Sequence, residues 1–239
     1  MQTTELDPAL SNTFSQARSP GLTLVIGNKN ISSWSMRPWV AAVAFNIPFT
    51  EVRLLLDQPD TAAKIAAYSH AGRVPVLLAG EMTIWDSLAI CEYLAEQFPD
   101  KHLWPQDVAA RALARSVTAE MHSGFAALRN DMSMNIQARL PGRGRTPGAQ
   151  ADIGRICEIW EDCLARFGHR GFLFGEFSIA DAFYAPVVMR FMTYGVTLAP
   201  ALQAYCERML AHPAVARWVA EAMRETDPTP QHDAELPRA

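Results

Sequence analysis

The chain has 239 residues, of which 49% are apolar and 19% charged, with a formal net charge of −4. That length exceeds a typical domain of about 100 to 200 residues and can bury a sizeable core, so two domains are the starting expectation. No Lys/Arg cluster interleaved with aromatics appears and no run reaches the roughly 18 to 20 apolar residues of a membrane span, which disfavours nucleic acid and membrane as partners.

Residues 1–20 lack the basic start and apolar stretch of a secretory signal and read as a disordered tail. "GLTLVIGN" (21–28) is a β-branched and leucine run flanked by glycine, which predicts a buried strand. Val40, Val43, Ala44 and Ile47 then recur at helical spacing until Pro48 stops the pattern. "FTEVRLLL" (49–56) is a second strand, followed by a weak alanine-rich helix from Thr61. "RVPVLLAG" (73–80) and "MTIW" (82–85) are the third and fourth strands, and "DSLAICEYLAEQF" is a helix with Leu88, Cys91, Leu94 and Phe98 along one stripe.

"PDKHLWPQD" (99–107) reads as a linker, and no strand pattern follows it. One long helix is predicted from residue 109 to 140, then a loop at "PGRGRTPGAQ", then four further helices, so an all-helical domain spans 108–225. The residues from 226 to 239 lack the apolar content to pack and read as a second disordered tail. The fold class is thus an α/β domain over 21–101 joined to an all-α domain.

The six histidines show no i, i+4 pairing, so no metal is expected. The four cysteines, Cys91, Cys157, Cys163 and Cys206, lack paired spacing and fit reduced thiols in a cytoplasmic protein. "GRGRTPG" has neither the glycine spacing nor the preceding strand of a phosphate loop.

Three features of the first domain carry chemistry. Pro75, inside a run typical of a central strand, marks either a cis bond or the start of an edge strand. Asp86 or Ser87 can cap the helix that begins near Leu88, leaving backbone N–H groups free for a carboxylate, although most such caps bind nothing. "NKNISSWSMRPW" (28–39) crowds Ser32, Ser33 and Ser35 at the mouth of the first helix. A hydroxyl there can cap the helix or donate to an anion. A thiolate qualifies, because helix amino ends lower thiol pKa values, and each unit is worth about 1.4 kcal/mol. This segment holds no cysteine, so the sulfur has to belong to a ligand.

The order β-α-β, α, "VPVL", "DSLAICEYL" and then an all-helical domain resembles the glutathione S-transferase family, in its serine-type branch with theta and zeta classes. The resemblance covers roughly residues 21–225. It implies a thioredoxin-like first domain with Pro75 cis, glutathione as co-substrate without a metal, and a homodimer acting on a small electrophile in detoxification. Residues matching the family's glutathione contacts are Arg73, Val74, Asp86 and Ser87, with Arg73 standing where zeta-type proteins usually carry Gln. Ser32-Ser33-Trp34-Ser35 resembles the zeta-type "S-S-C-S" motif. The resemblance makes Ser32 the catalytic hydrogen-bond donor to the thiolate and Ser33 a glutathione contact.

Helix chemistry leaves Ser33 and Ser35 open as donors. A cap at Ser32 puts Pro38 in the helix interior, whereas a cap at Ser35 puts it in the first turn. Ser178 and Asp181 in "GEFSIADAFYAP" match the family's capping box. By the same analogy, Met121, His122, Phe125 and Arg129 could line a second-substrate pocket; the commoner arrangement buries Met121 and Phe125 and leaves His122 and Arg129 in solvent.

Two alternatives to conjugation remain. One is glutathione-dependent cis–trans isomerisation of the maleylacetoacetate type, for which Thr193 stands where a diacid-binding arginine is expected. The other is non-catalytic ligand binding on the same fold.

Overall fold

The computed structural model describes residues 21–229; the tail expected over 1–20 and most of the one expected over 226–239 lie outside them. A four-stranded sheet has the order β2-β1-β3-β4, with β1 at Leu22–Ile26, β2 at Thr50–Arg53, β3 at Val76–Ala79 and β4 at Met82–Ile84. β1 runs parallel to β2 and antiparallel to β3, which pairs antiparallel with β4.

Side chains alternate across β1. Leu22, Leu24 and Ile26 pack on the face covered by α1 (Ser33–Ala44) and α3 (Ser87–Gln97). Val25 points the other way, into a small cluster with Leu54, Val76 and Ile65 of α2, Thr61–Ala66. Both faces of β1 are therefore covered, which explains why its sequence is apolar without a polar alternation.

The third strand is shorter than predicted. Val74–Pro75 is a cis bond and the ladder begins only at Val76, since proline has no N–H to donate. Pro75 thus takes the cis alternative.

The second domain carries α4 (Val108–Ser123), α5 (Ala126–Asp131), α6 (Pro147–Phe167), α7 (Ile179–Tyr194), α8 (Pro200–Ala211) and α9 (Pro213–Ala222). The single helix predicted over 109–140 is corrected to two helices and a non-helical segment. Gly124 ends α4, and Phe125 adopts a left-handed φ of 56° while its ring stays buried. Beyond Asp131, the buried apolar residues are Met132, Met134, Ile136, Ala138 and Leu140, every second residue, which is a two-residue period and not a helical one, with the polar Asn135 buried between them.

Every residue of α7 except Met192 is buried, including Asp181, Arg190 and Thr193, as suits a largely apolar helix at the centre of a domain. Its start carries the expected capping box. Asp181 accepts from the Ser178 N–H at 2.9 Å and the Ser178 hydroxyl at 3.1 Å, and its second oxygen accepts from the Leu173 N–H and the Tyr205 hydroxyl, each at 3.1 Å. α7 packs on α1 and on α4, and α9 also packs on α1. One continuous apolar cluster consequently runs from β1 through α1 into the helical domain. Residues 226–229, where a disordered tail was predicted to begin, instead lie against the first domain: Arg53 pairs with Asp227 at 2.6 Å and Gln58 donates to the Pro228 carbonyl at 3.0 Å.

Candidate active site at the amino end of α1

Ser32 holds the N-cap position of α1, without a side-chain capping bond to the helix backbone, and Pro38 lies inside the helix. Proline there removes one helical N–H, so the early start has to be held by something other than helix propensity. Two contacts do so. The Ser32 and Ser35 hydroxyls are hydrogen bonded at 2.7 Å, and Ser35 Oγ accepts the Gly27 N–H at 3.1 Å, fastening the first helical turn to the end of β1.

A cavity of about 740 Å³ opens in front of this turn. Ser32, Ser33, Arg73, Val74, Asp86 and Ser87, which come from three separate segments of the sequence, all line it. Ile31, Leu56, Ile65 and Trp85 supply apolar wall, and Trp34 forms part of the rim. Ser35 is fully buried and does not line the cavity, so of the three serines only Ser32 and Ser33 face it.

Asp86, not Ser87, caps α3, accepting the Leu88 N–H at 2.9 Å through one oxygen. Its other oxygen lies 3.1 Å from His122 Nε2 of α4. Ser87 is buried and accepts from Arg37 Nη1 at 3.4 Å. Arg73 is exposed at the cavity edge.

Sequence reasoning missed the positive charge behind the serines. Arg37 is wholly buried, with its guanidinium 4.0 Å from the Trp34 ring and 5.0 Å from Phe183, and neither Nε nor Nη2 has a hydrogen-bond partner. Burial pushes its pKa down to about 9, with Arg190 and Arg129 adding repulsion. Arg190 of α7 is also buried and donates to the Met132 carbonyl at 2.9 Å, the Pro186 carbonyl at 3.2 Å and Ser33 Oγ at 3.3 Å. Burial pushes Arg190 down to about 10, and Arg129 lowers it further.

His122 and Arg129 are half-buried at the domain boundary, so the solvated placement expected for them is corrected, while Met121 and Phe125 are core as expected. His122 meets the Trp34 ring edge-on at 5.2 Å and Arg129 lies 5.3 Å from it. Burial lowers the pKa of both groups, opposed at His122 by Asp86 and at Arg129 by Asp152. The missed signal was Arg37 itself, a charged residue five positions after Ser32 on a helix whose neighbours are apolar. Thr193, at the position discussed for a diacid arginine, is buried and donates to the Asn135 carbonyl at 2.8 Å.

A sheet of this order, followed by a helical bundle, defines a two-domain protein with a thioredoxin-like first domain. Residues 31–97 match the family model described as "Glutathione S-transferase, N-terminal domain", and residues 117–221 match "Glutathione S-transferase, C-terminal domain". Glutathione S-transferase GstB of Escherichia coli K12 is 30% identical over 169 residues, 66% of this chain and 78% of that protein. Maleylacetoacetate isomerase of Rattus norvegicus is 28% identical over 70% of this chain and 77% of its own length. Glutathione S-transferase 1 of Dianthus caryophyllus is 36% identical, over 54% of this chain and 59% of that protein, so the chain spans less than two thirds of it. Among solved structures, a glutathione transferase homologue from Burkholderia, crystallised with bound glutathione, aligns with a TM-score of 0.67 at 26% identity, covering 86% of this chain and 100% of that one. The chain belongs to the glutathione S-transferase family.

Proposed function

We propose that the protein is a glutathione transferase that ionises the thiol of glutathione at the amino end of α1 for attack on a small hydrophobic electrophile. The observation that carries this reading is the convergence of Ser32, Ser33, Arg73, Val74, Asp86 and Ser87 on one cavity at the Ser32 cap. Asp86 and Ser87 take the γ-glutamyl end, with the Asp86 carboxylate facing its ammonium. The Val74 backbone takes the peptide, and Arg73 at the rim faces a carboxylate.

Ser32 donates to the sulfur. Ser32 Oγ donates to Ser35 Oγ, and when a thiolate binds the two hydroxyls rotate so that Ser35, which still accepts the Gly27 N–H, donates to Ser32 Oγ and Ser32 donates to the sulfur. Chained hydroxyls strengthen one another. The buried guanidinium groups of Arg37 and Arg190 add positive potential behind the site, and the proton lost by the thiol passes to solvent through the open cavity. The electrophile gains from proximity to a thiolate held in a partly desolvated cavity.

Ultraviolet difference absorbance of the bound thiolate, titrated with pH, tests the reading. A thiol midpoint lowered by at least about one unit from free glutathione supports it, and the free value retained on the protein defeats it.

A second reading is glutathione-dependent isomerisation of a diacid. It is favoured by the grouping of Arg37, Arg129 and Arg190 around Trp34 and Ser33 and by the likeness to the rat maleylacetoacetate isomerase. Turnover of maleylacetone separates it from conjugation. Homodimerisation and a cytoplasmic location are part of the proposal through family likeness and reduced cysteines; all four cysteines are free, three of them buried. Among the described residues no helix is long and apolar enough to cross a membrane.

A further inference from the structure

The loop that leads from β1 to Ser32 is held from the far end of the chain. Ile31 and Ser32 donate their N–H groups within the loop, both to the Asn28 carbonyl, at 3.3 and 2.9 Å. The two amides between do not. Lys29 N–H donates to Glu225 Oε1 at 2.7 Å and Asn30 N–H to Glu225 Oε2 at 3.0 Å, so one carboxylate spans two consecutive amides nearly two hundred positions away in sequence. The Glu225 side chain is 9% exposed and receives a further hydrogen bond from Arg53 at 3.1 Å.

The remaining polar groups of the loop are held by that segment together with Glu51 and residues 136 and 137. Trp218 Nε1 donates to the Lys29 carbonyl at 2.9 Å. The Lys29 ammonium, buried beside the Trp39 and Trp218 rings, pairs with Glu51 and Glu221. Asn30 accepts from the Ile136 N–H at 3.2 Å and, through its side chain, from the Gln137 N–H at 2.9 Å. Gln137 in turn donates to the Ala222 and Glu225 carbonyls at 2.9 and 2.7 Å. On the other side, Asn28 Oδ1 accepts the Leu56 N–H at 2.7 Å, and Leu56 is cavity wall.

We propose that Glu225 is a positioning residue for the thiol-binding site: together with Trp218 and Gln137 it forms a latch from the helical domain that sets where Ser32 stands. The assignment rests on the reading of the Ser32 cavity as the glutathione site. Glu225 does not line that cavity, so it acts only through the loop. Buried amides left without an acceptor rearrange to find one. In this loop such a rearrangement moves Ile31 and Ser32, and displacements of about 1 Å in a catalytic group can cost on the order of a hundredfold in rate.

The test compares the full-length protein with E225A and E225Q, with R155A as a control that removes only the surface pairs of Arg155 with Glu120 and Glu158. Hydrogen–deuterium exchange is followed across residues 28–34 and across α6. In parallel, the pH midpoint of bound-glutathione thiolate absorbance and the kinetic constants are measured. The expected result for E225A is exchange at 28–34 faster by roughly tenfold or more with α6 unchanged, a raised thiol midpoint, and a fall in kcat larger than the change in KM. E225Q keeps one acceptor oxygen and falls between wild type and E225A, and R155A matches wild type.

Uniformly faster exchange in E225A, or faster exchange at 28–34 with an unmoved thiol midpoint, overturns the positioning role and leaves the transferase reading intact. A wild-type protein that neither binds nor ionises glutathione defeats both, whatever the exchange pattern shows.

Discussion

His122 Nε2 lies 3.1 Å from Asp86 Oδ2, and this contact joins α4 of the helical domain to the residue that caps α3 in the thioredoxin-like domain. The carboxylate assigned to a ligand ammonium therefore already has a partner from across the domain boundary.

That pair has a defined pH response. Burial lowers the His122 pKa below its ordinary value and Asp86 partly restores it. A group that folding makes less basic favours the folded state at neutral pH and withdraws that support as pH falls from the unfolded value of about 6.5 through the lowered one. The His122 ring resonance is expected to titrate below the midpoint of a free imidazole, and Asp86→Asn to move that midpoint lower still. An upward shift in Asp86→Asn contradicts this account.

The serine hydroxyls separate by role. Ser32→Ala is expected to raise the bound-thiol midpoint by about one unit, equivalent to about 1.4 kcal/mol. Ser35→Ala gives a smaller rise, because Ser32 keeps its proton but loses the hydroxyl behind it. Ser33→Ala leaves Arg190 with one donor unmatched and gives the smallest rise of the three. Thiolate absorbance of the three variants orders them; Ser33→Ala as the most damaging variant would transfer the donor role to Ser33.

Arg37 offers a divergence between stability and activity. A buried guanidinium with two unpaired nitrogens is costly, because its charge is taken out of water without the hydrogen bonds that would compensate it. Arg37→Met is therefore expected to melt no lower than wild type while the bound-thiol midpoint rises with the loss of positive charge. Thermal unfolding beside the thiolate titration checks both halves, and a large drop in melting temperature shows that Arg37 is structural.

The start of α7 sets a structural baseline. Ser178→Ala removes a cap and should cost about 1 kcal/mol, whereas Asp181→Ala strands the Leu173 N–H and the Tyr205 hydroxyl as well and should cost about 3 kcal/mol or more. Denaturant unfolding of the two variants measures the difference. Equal costs would mean that the second carboxylate oxygen contributes nothing.

Much of this architecture was legible because the period of the apolar residues and the turn chemistry agree across β1, α3, α6, α8 and α9. The failure over 109–140 was local: Met132, Met134, Ile136 and Ala138 alternate, but they sit among alanine, glutamine and arginine, which favour helices, and propensity masked the two-residue period. The position of Ser32 as the cap was hidden for the opposite reason. Local chemistry with Pro38 argued for Ser35, and the contacts that hold the earlier start, Gly27 to Ser35 and Lys29 and Asn30 to Glu225, are set by tertiary structure. The cationic ground under the cavity came from residues as distant as Arg37 and Arg190, whose proximity no spacing in the sequence encodes.

Trp34 lines the cavity while Arg37 and Arg129 lie against its ring and His122 meets it edge-on. Of the six tryptophans, only Trp34 and Trp85 line that space. A ligand that fills this volume changes the surroundings of both rings, so intrinsic emission is expected to report occupancy without an attached dye.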